Sequence, residues 1–298
     1  MKKNKNISIY CDGGTNIGYG HIRRSLVLYY FLKKKNYKTN ILPLSNFAKK
    51  FLPLEHNKKI AQLVFFDGPI NNSNEKLLKK LRKEKKKIIT LDWFGKFIPD
   101  INIAIYPHKK VKAKIKSYIG LNYVIIDKKI INIKKNKKYR NIKNNKNIMN
   151  KVLIMIGGGD ILGLGKKASK YLNNCGFKVT LIEGPLVKNK LVSKNINVLC
   201  NPKNLNQLMI KNDLIITNGG NSLFESIFLK KPTYVLPQSN NEIKIAKFFY
   251  RNKMIFGFGK KINKFPTEKK FKNFFKRKKS IIDGYGASRI FKIINKAL

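Results

Sequence analysis

The amino-acid sequence predicts an α/β protein with two open, parallel β-sheets. Short apolar runs of strand-forming residues alternate with amphipathic runs along all 298 residues, which is the pattern of strands joined by crossover helices. Each half of the chain opens with an apolar run followed by glycines, at 7–14 and at 151–159. A chain of this length suits two domains of ordinary size, each large enough to bury its own core.

In the first half, apolar runs predict strands and amphipathic runs predict helices. The helix over 73–86 is the clearest, because Leu77, Leu78 and Leu81 form an apolar stripe while lysines cover the other face. Strands are predicted near 7–11, 39–44, 62–66, 88–92, 101–106 and 123–126, and helices near 21–35, 46–52 and 73–86.

A charge-rich stretch of weak periodicity, residues 128–150, separates the halves and predicts an inter-domain linker. The expected domains are therefore 1–140 and 141–298. In the second half, strands are predicted near 151–156, 177–182, 196–199, 213–217 and 233–236, and helices near 164–174, 203–210, 221–229, 242–251 and 287–298.

The net charge of +50 comes almost entirely from lysine, since only seven of the 65 basic residues are arginine. Arginine is the residue suited to bidentate contacts with phosphates and bases. A surplus of lysine, asparagine and isoleucine along the whole chain is typical of an AT-rich genome. The composition therefore argues against specific nucleic-acid binding, although the charge would attract polyanions at low salt.

The three cysteines, Cys11, Cys175 and Cys200, are widely spaced and form no CxxC pair. This disfavours a disulfide framework and a zinc site, so we expect buried thiols in a reducing compartment. The first apolar run is too short for a signal-peptide core and ends at Asp12. No apolar stretch approaches the ~20 residues of a membrane span. The sequence therefore predicts a cytoplasmic protein.

The most informative segment is the first glycine-rich turn and the helix start after it, residues 12–24. Glycines let a backbone approach a ligand closely, and a helix start offers N–H groups and a positive dipole end to an anion. His21 stands in the first turn of this helix, and histidine is the side chain best suited to proton transfer near neutral pH. The alternative is a tight turn in which His21 only caps or packs locally.

Two glycine turns in the second half stand where a nucleotide would bind. One spans 157–160, and the other begins at Gly219. Asn221 or Ser222 can cap the following helix, whose N–H groups can hold a pyrophosphate. We expect a solvated Glu225 in the first helical turn, where it can accept hydrogen bonds from ribose hydroxyls. The alternative for Glu225 is compensation of the helix dipole.

Four motifs occur in order along nearly the whole chain. They are Asp-x-x-x-x-Ile-Gly-x-Gly-His-x-x-Arg at 12–24, Gly-Gly-x-Asp at 157–160, Gly-x-x-Ser-x-x-Glu at 219–225 with Pro232 after it, and Asp-Gly-x-Gly-Ala-x-Arg-Ile at 283–290. With these motifs the chain resembles the PseG/SpsG family of nucleotide-sugar hydrolases of pseudaminic-acid and surface-polysaccharide biosynthesis. That family is similar in turn to MurG and other GT-B glycosyltransferases.

The resemblance implies a GT-B-like fold, with two Rossmann-type domains facing across a cleft and the last helix, 287–297, returning toward the N-terminal domain. It implies hydrolysis of a UDP-linked 2,4-diacetamido-trideoxy sugar at the anomeric C1–O bond, with release of UDP. We expect a monomeric enzyme that uses neither a cofactor nor a metal.

In such a hydrolase His21 would be the base that activates water, and its helix start favours the neutral imidazole. Asp12 would orient His21 or the water, unless it only bonds backbone N–H groups in the turn. We expect His56 and His108 at the surface. The residues expected to bind substrate are Gly18, Gly20, Arg24, Gly158, Asp160, Gly219, Gly220, Asn221, Ser222, Glu225 and Asn241.

Three departures from the family pattern fall where the sugar would be bound. Asn241-Glu242 stands where Asn-Gln is usual, Tyr10 where an arginine is common, and Asp67-Gly-Pro69 where Asp-x-Tyr is expected. Two other functions therefore stay open. One is a GT-B glycosyltransferase in which an acceptor hydroxyl replaces water, and the other is a non-catalytic binder of nucleotide sugars or polyanions.

Overall fold

The computed structural model describes residues 6–14, 17–53, 59–106, 109–136, 150–187, 191–262 and 281–298. The chain divides into two compact units. Unit 1 comprises 1–126 and 283–298, and unit 2 comprises 127–282.

Unit 1 is built on a parallel sheet in the order β2-β1-β3-β4-β5-β6. Central strands such as β3 are buried along their whole length, which explains their nearly continuous apolar sequence. The strands are β1 Asn6–Cys11, β2 Lys38–Pro43, β3 Leu63–Asp67, β4 Lys87–Leu91, β5 Ile101–Ala104 and β6 Ser117–Ile119.

The helices of unit 1 are α1 Gly20–Lys34, α2 Asn46–Lys49, α3 Asn72–Lys83 and the C-terminal helix of the chain, Gly286–Ala297. α3 begins where the Asn71 side chain accepts a hydrogen bond from the Asn74 N–H, and it buries Leu78 and Leu81 against the sheet.

The C-terminal helix packs on unit 1 because of the motif at 283–290. A Cβ on Gly286 would collide with the backbone of Tyr123 and Val124, so only glycine permits this close approach. The Arg289 guanidinium pairs with the Asp283 carboxylate and donates to the Asn122 carbonyl at 2.8 Å. This motif therefore has a structural role in the described part of the chain.

Unit 2 contains a second parallel sheet, in the order β12-β11-β10-β7-β8-β9. Its core is aliphatic, with Ile154 and Ile216 from neighbouring strands fully buried. The strands are β7 Lys151–Met155, β8 Lys178–Glu183, β9 Asn197–Cys200, β10 Leu214–Thr217, β11 Thr233–Val235 and β12 Gly257–Phe258.

The helices of unit 2 are α4 Lys128–Lys135, α5 Leu164–Asn174, α6 Leu205–Lys211, α7 Asn221–Phe228 and α8 Asn240–Arg251; the C-terminal helix is α9. α4 occupies the start of the predicted linker, so the linker prediction is wrong for 128–135. Asp127 caps α4 by accepting from the Lys129 N–H at 2.8 Å, and Ile130 is buried. Residues 137–149 of the predicted linker lie outside the described residues.

The strand predicted over 123–126 is also wrong, because a 3₁₀ turn, Leu121–Tyr123, occupies its start. The edge strands β6 and β12 were not predicted from the sequence. Each is only two or three residues long, and too short to show a period.

Candidate functional site

The glycine-rich turn of unit 1 lies at the switch point of its sheet. The chain runs from β1 to β2 on one side and then to β3 on the other side of β1. Open α/β sheets bind ligands outside the carboxyl ends of their strands at such a point. Asp12 follows β1, Asp67 ends β3, and α1 begins at Gly20, so all three lie at this edge.

His21 is bonded to a carboxylate at this edge. His21 Nδ1 lies 2.6 Å from Asp67 Oδ1. An ionised carboxylate only accepts hydrogen bonds, so Nδ1 carries a ring proton, which in the neutral imidazole leaves the lone pair on Nε2. The His21 side chain is 25% exposed and that of Asp67 is fully buried. A ligand can therefore reach the ring while Asp67 orients it from the interior.

Asp67 is kept ionised by Arg24. Arg24 Nε and Nη2 donate to the two Asp67 oxygens at 2.7 and 2.5 Å, and Ser25 Oγ donates at 3.1 Å. Burial alone would raise the pKa of Asp67, but the charges and hydrogen bonds of Arg24 and His21 outweigh it and hold the pKa well below its usual range. Arg24 Nη2 also lies 3.2 Å from His21 Nδ1. The shorter bond to Asp67 decides the tautomer.

The sequence predicts that Arg24 binds substrate, but the structure gives its guanidinium other partners. Arg24 is three residues after His21 and so lies on the same side of α1, deeper in the unit and only 4% exposed. Its third nitrogen, Nη1, donates to Asp92 Oδ2 at 3.0 Å. Because all three nitrogens bond carboxylates, Arg24 acts on the site through Asp67.

Asp92 extends this network to the end of β4. It adopts a left-handed φ of 56°, which aspartate tolerates, and its Oδ1 accepts from the Ile105 N–H at 2.8 Å. Burial raises the pKa of Asp92, against the opposing charge of Arg24. Burial likewise lowers the pKa of Lys109, against the charge of Asp92. Two carboxylates thus surround one buried guanidinium, with an ammonium nearby.

Asp12 bonds the turn itself, which is the alternative that the sequence left open. Its Oδ1 accepts from the Gly13 N–H at 2.8 Å. In the described part of the chain, Asp67 is the carboxylate that contacts His21. Gly18 has a left-handed φ of 79° and exchanges two backbone hydrogen bonds with Gly14, which closes the loop just before α1.

In unit 2 the switch point lies between β7 and β10. Gly219 and Gly220 follow β10, and α7 begins at Asn221 with Gly220 as its N-cap and no side-chain cap. The predicted cap by Asn221 or Ser222 is therefore wrong, because these are the first two residues inside the helix. A helix whose N-cap residue is glycine lets an anion approach its first backbone N–H groups closely.

The expected position of Glu225 is also wrong. It is the fifth residue of α7, beyond the first turn, and is 4% exposed rather than solvated. Residues 223–228 are all buried, since both faces of this short helix are covered. The role of Glu225 toward a ribose remains a prediction.

Glu242 joins the turns of unit 2. Its Oε1 accepts from Asn218 Nδ2 at 2.7 Å, and its Oε2 accepts from the Gln238 N–H at 2.7 Å. Gln238 Nε2 in turn donates to the Gly159 carbonyl at 3.2 Å. A Cβ on Gly219 would lie 2.8 Å from the Glu242 Cβ, so glycine is required there. The loops after β7, β10 and β11 are thus tied together.

Asp160 and Gly158, both predicted to bind substrate, hold the β7 loop itself. Asp160 Oδ2 accepts from the Gly165 and Lys166 N–H groups at 2.8 and 3.2 Å, which fixes the start of α5. Burial raises the pKa of Asp160, against these donors. The Gly158 carbonyl accepts from the Leu186 N–H at 2.9 Å. A small cavity beside this turn is lined by residues that include Gly157, Lys166 and Glu183.

The remaining expectations have mixed outcomes. Asn241 lies exposed in the first turn of α8. Cys11 is buried as expected, whereas Cys175 and Cys200 are exposed, so that prediction is wrong for two of the three thiols. His56 and His108 lie outside the described residues.

Within the described ranges, no three metal-binding side chains are grouped, and no helix has the length and apolarity needed to cross a membrane.

Sequence reasoning missed Asp67 as the partner of His21, and it missed Asp92. In the sequence, Asp67 stands out only through its departure from a family pattern. A signal was present, because Asp67 ends an apolar strand and Asp92 directly follows another. Carboxyl ends of neighbouring parallel strands share one edge of a sheet. The sequence could therefore have suggested an acidic cluster there, but not the strand order that places Asp67 beside the helix of His21.

No protein-family model matches the chain. The chain is 27% identical over 279 residues to an uncharacterised protein of Methanocaldococcus jannaschii, a match that covers 78% of this chain and 56% of that protein. The chain thus spans little more than half the length of the curated relative that it matches.

Several solved structures resemble the chain over nearly its whole length. MurG from Acinetobacter baumannii gives a TM-score of 0.61 at 11% identity, covering 98% of this chain and 99% of that one. UDP-GlcNAc 2-epimerase from Neisseria meningitidis, solved with UDP-GlcNAc bound, gives 0.55 at 10% identity, covering 98% and 100%. A glycosyltransferase from Rickettsia africae gives 0.52 at 11% identity, covering 99% of each. With the two six-stranded parallel sheets, these likenesses confirm the GT-B fold of two Rossmann-type domains.

Proposed function

We propose that the protein hydrolyses a UDP-linked 2,4-diacetamido-trideoxy sugar at its C1–O bond and supplies the free sugar for a nonulosonate surface glycan. One observation carries the proposal. His21 lies at the switch point of unit 1, where its Nδ1 is hydrogen-bonded to the buried Asp67 carboxylate and its side chain is partly exposed. A histidine held in one tautomer by an ionised carboxylate is the arrangement of a general base.

In the proposed reaction, Nε2 of His21 takes a proton from a water molecule as the water oxygen bonds to C1 of the sugar. The C1–O bond to the diphosphate breaks, and its electron pair leaves with UDP. The imidazolium that forms is stabilised by Asp67, whose own charge is balanced by Arg24. His21 then returns its proton to solvent.

Unit 2 would hold the nucleotide. The start of α7, behind its glycine N-cap, would supply N–H donors for the diphosphate and stabilise its developing charge. Glu225 would accept hydrogen bonds from the ribose hydroxyls. A UDP-sugar was bound in the similar epimerase structure, which supports this class of ligand for the proposal.

The test is incubation of the purified protein with a panel of UDP- and CMP-activated amino sugars, without any acceptor, while released nucleotide is measured. Release of UDP from a diacetamido-trideoxy sugar supports the hydrolase. Release that begins only when a second sugar or a lipid is added identifies a glycosyltransferase instead. Binding of the nucleotide sugar without release in either condition identifies a non-catalytic binder.

A further inference from the structure

Glu242 is a partly buried carboxylate beside the turn that starts α7. Each of its oxygens accepts a hydrogen bond, one from Asn218 Nδ2 and the other from the Gln238 N–H. Its Cβ is in close contact with the backbone position of Gly219, two residues before α7 begins. The carboxylate therefore lies directly behind the loop that would receive an anion.

The loops that pack against Glu242 contain no ionisable side chain: they are Asn218-Gly-Gly220 and Leu236-Pro-Gln-Ser239. Acidic side chains on the adjoining elements are Asp160, after β7, and Glu225, on α7. The lysines on its own helix, Lys244 and Lys247, are exposed. Burial raises the pKa of Glu242, and only neutral donors, on Gln238, Asn218 and Gly219, oppose it.

A diphosphate at the start of α7 would bring negative charge close to this carboxylate. Like charges in a partly buried site disfavour the ionised form. Protonation of Glu242 removes the repulsion without breaking the loop. The Asn218 Oδ1 atom is buried and lacks a hydrogen-bond partner among the described residues, so an amide flip lets Asn218 accept from a protonated Glu242 instead of donating to it.

We propose that nucleotide binding by unit 2 is coupled to proton uptake at Glu242, because the ionised carboxylate and a bound diphosphate repel each other across the same loop. This inference rests on the proposed function only in that the ligand is a nucleoside diphosphate. The direction of the effect follows by linkage. The complex holds more protons than the free protein, so affinity falls as the pH rises through the titration of Glu242.

The test compares UDP binding by the wild type and by Glu242→Gln, by calorimetry from about pH 4.5 to about pH 8. The comparison cancels the titration of UDP itself and of other groups. At about pH 8 we expect Glu242→Gln to bind UDP about tenfold more tightly than the wild type, which is the effect of one pKa unit. At about pH 4.5 the UDP affinities of the two proteins should be equal. Glu75→Gln, which removes a carboxylate in unit 1, is the matched control and should follow the wild type.

Two results would overturn the proposal, and they are distinguishable. If Glu242→Gln and the wild type bind UDP equally at every pH, or if the variant binds more weakly, Glu242 does not repel the nucleotide and the coupling is absent. If neither protein binds UDP at any pH, the proposed function fails and this inference fails with it.

Discussion

The switch points of the two sheets are stabilised by different kinds of interaction. At the edge of the first sheet, a histidine, a guanidinium and two carboxylates form a buried ionic network. At the edge of the second, glycine turns and a helix start are held by neutral donors, several of which bond the carboxylates of Glu242 and Asp160. Both units share the strand–glycine–helix opening, so the difference lies in the side chains placed behind it.

Under the proposed function, this difference predicts that unit 1 carries the proton transfer and unit 2 holds the nucleotide. A proton-transfer group must keep one tautomer and one orientation, which an ionised carboxylate enforces and which requires a counter-charge such as Arg24 in the interior. An anion site needs donors and little competing negative charge. Substitutions in the ionic network of unit 1 should therefore change the reaction rate and the stability. Substitutions at the turns of unit 2 should change the affinity for UDP.

The largest expected effect is that of His21→Asn on nucleotide release. Loss of a general base typically costs about 10²–10⁴-fold in rate. The affinity for UDP should stay nearly unchanged, because we propose that unit 2 holds the nucleotide. Single-turnover rates and calorimetry measure the two quantities separately.

Wild-type turnover in His21→Asn would show that His21 is structural. A loss of UDP affinity in the same variant would instead contradict the proposal that unit 2 holds the nucleotide. Arg82 pairs with Asp100, which bonds the Ile88 N–H near the amino end of β4, whereas Asp92 follows its carboxyl end. Arg82→Met is therefore the activity control and should release nucleotide at the wild-type rate.

The next effect is on stability and contrasts a buried ion pair with an exposed one. Arg24→Met leaves Asp67 buried without its main counter-charge and should lower the free energy of unfolding by about 3–5 kcal/mol. Arg82→Met removes a pair with Asp100 whose side chains are 43% and 29% exposed, and should cost about 0–1 kcal/mol. Chemical denaturation measures both. Equal costs would mean that the network around Asp67 does not behave as a buried charge cluster.

The sequence predicted most of the fold because strands buried on both faces carry an unmistakable apolar run, as β3 and β7 do. It also located His21 at a helix start. It could not predict which carboxylate reaches His21, since that depends on strand order, nor that Glu225 is buried, since that depends on what covers α7. These contacts depend on how strands and helices distant in sequence pack together, and local sequence patterns do not predict that packing.

A smaller effect is expected for Glu225 in unit 2. Glu225→Gln keeps the shape of the buried side chain and should weaken UDP binding by about 1–3 kcal/mol, the range for losing charge-assisted hydrogen bonds. Because Glu225 is buried, Glu225→Ala should also lower stability, unlike the solvated residue that the sequence suggested. Unchanged UDP affinity in Glu225→Gln would remove this residue from the nucleotide site. Glu75→Gln again provides a carboxylate control in the other unit.

The last prediction concerns the lysine surplus outside both sites, where we expect no specific function. Three of the described arginines, Arg24, Arg82 and Arg289, pair with carboxylates, so these guanidinium groups are engaged within the protein. If the charge is compositional, duplex DNA should bind without sequence preference at about 50 mM salt and should lose about 10³-fold or more in affinity by about 200 mM. Fluorescence anisotropy with two unrelated duplexes measures this. A tight, sequence-selective complex at physiological salt would show instead that the lysines form a selected surface, and neither switch point would then account for the main ligand.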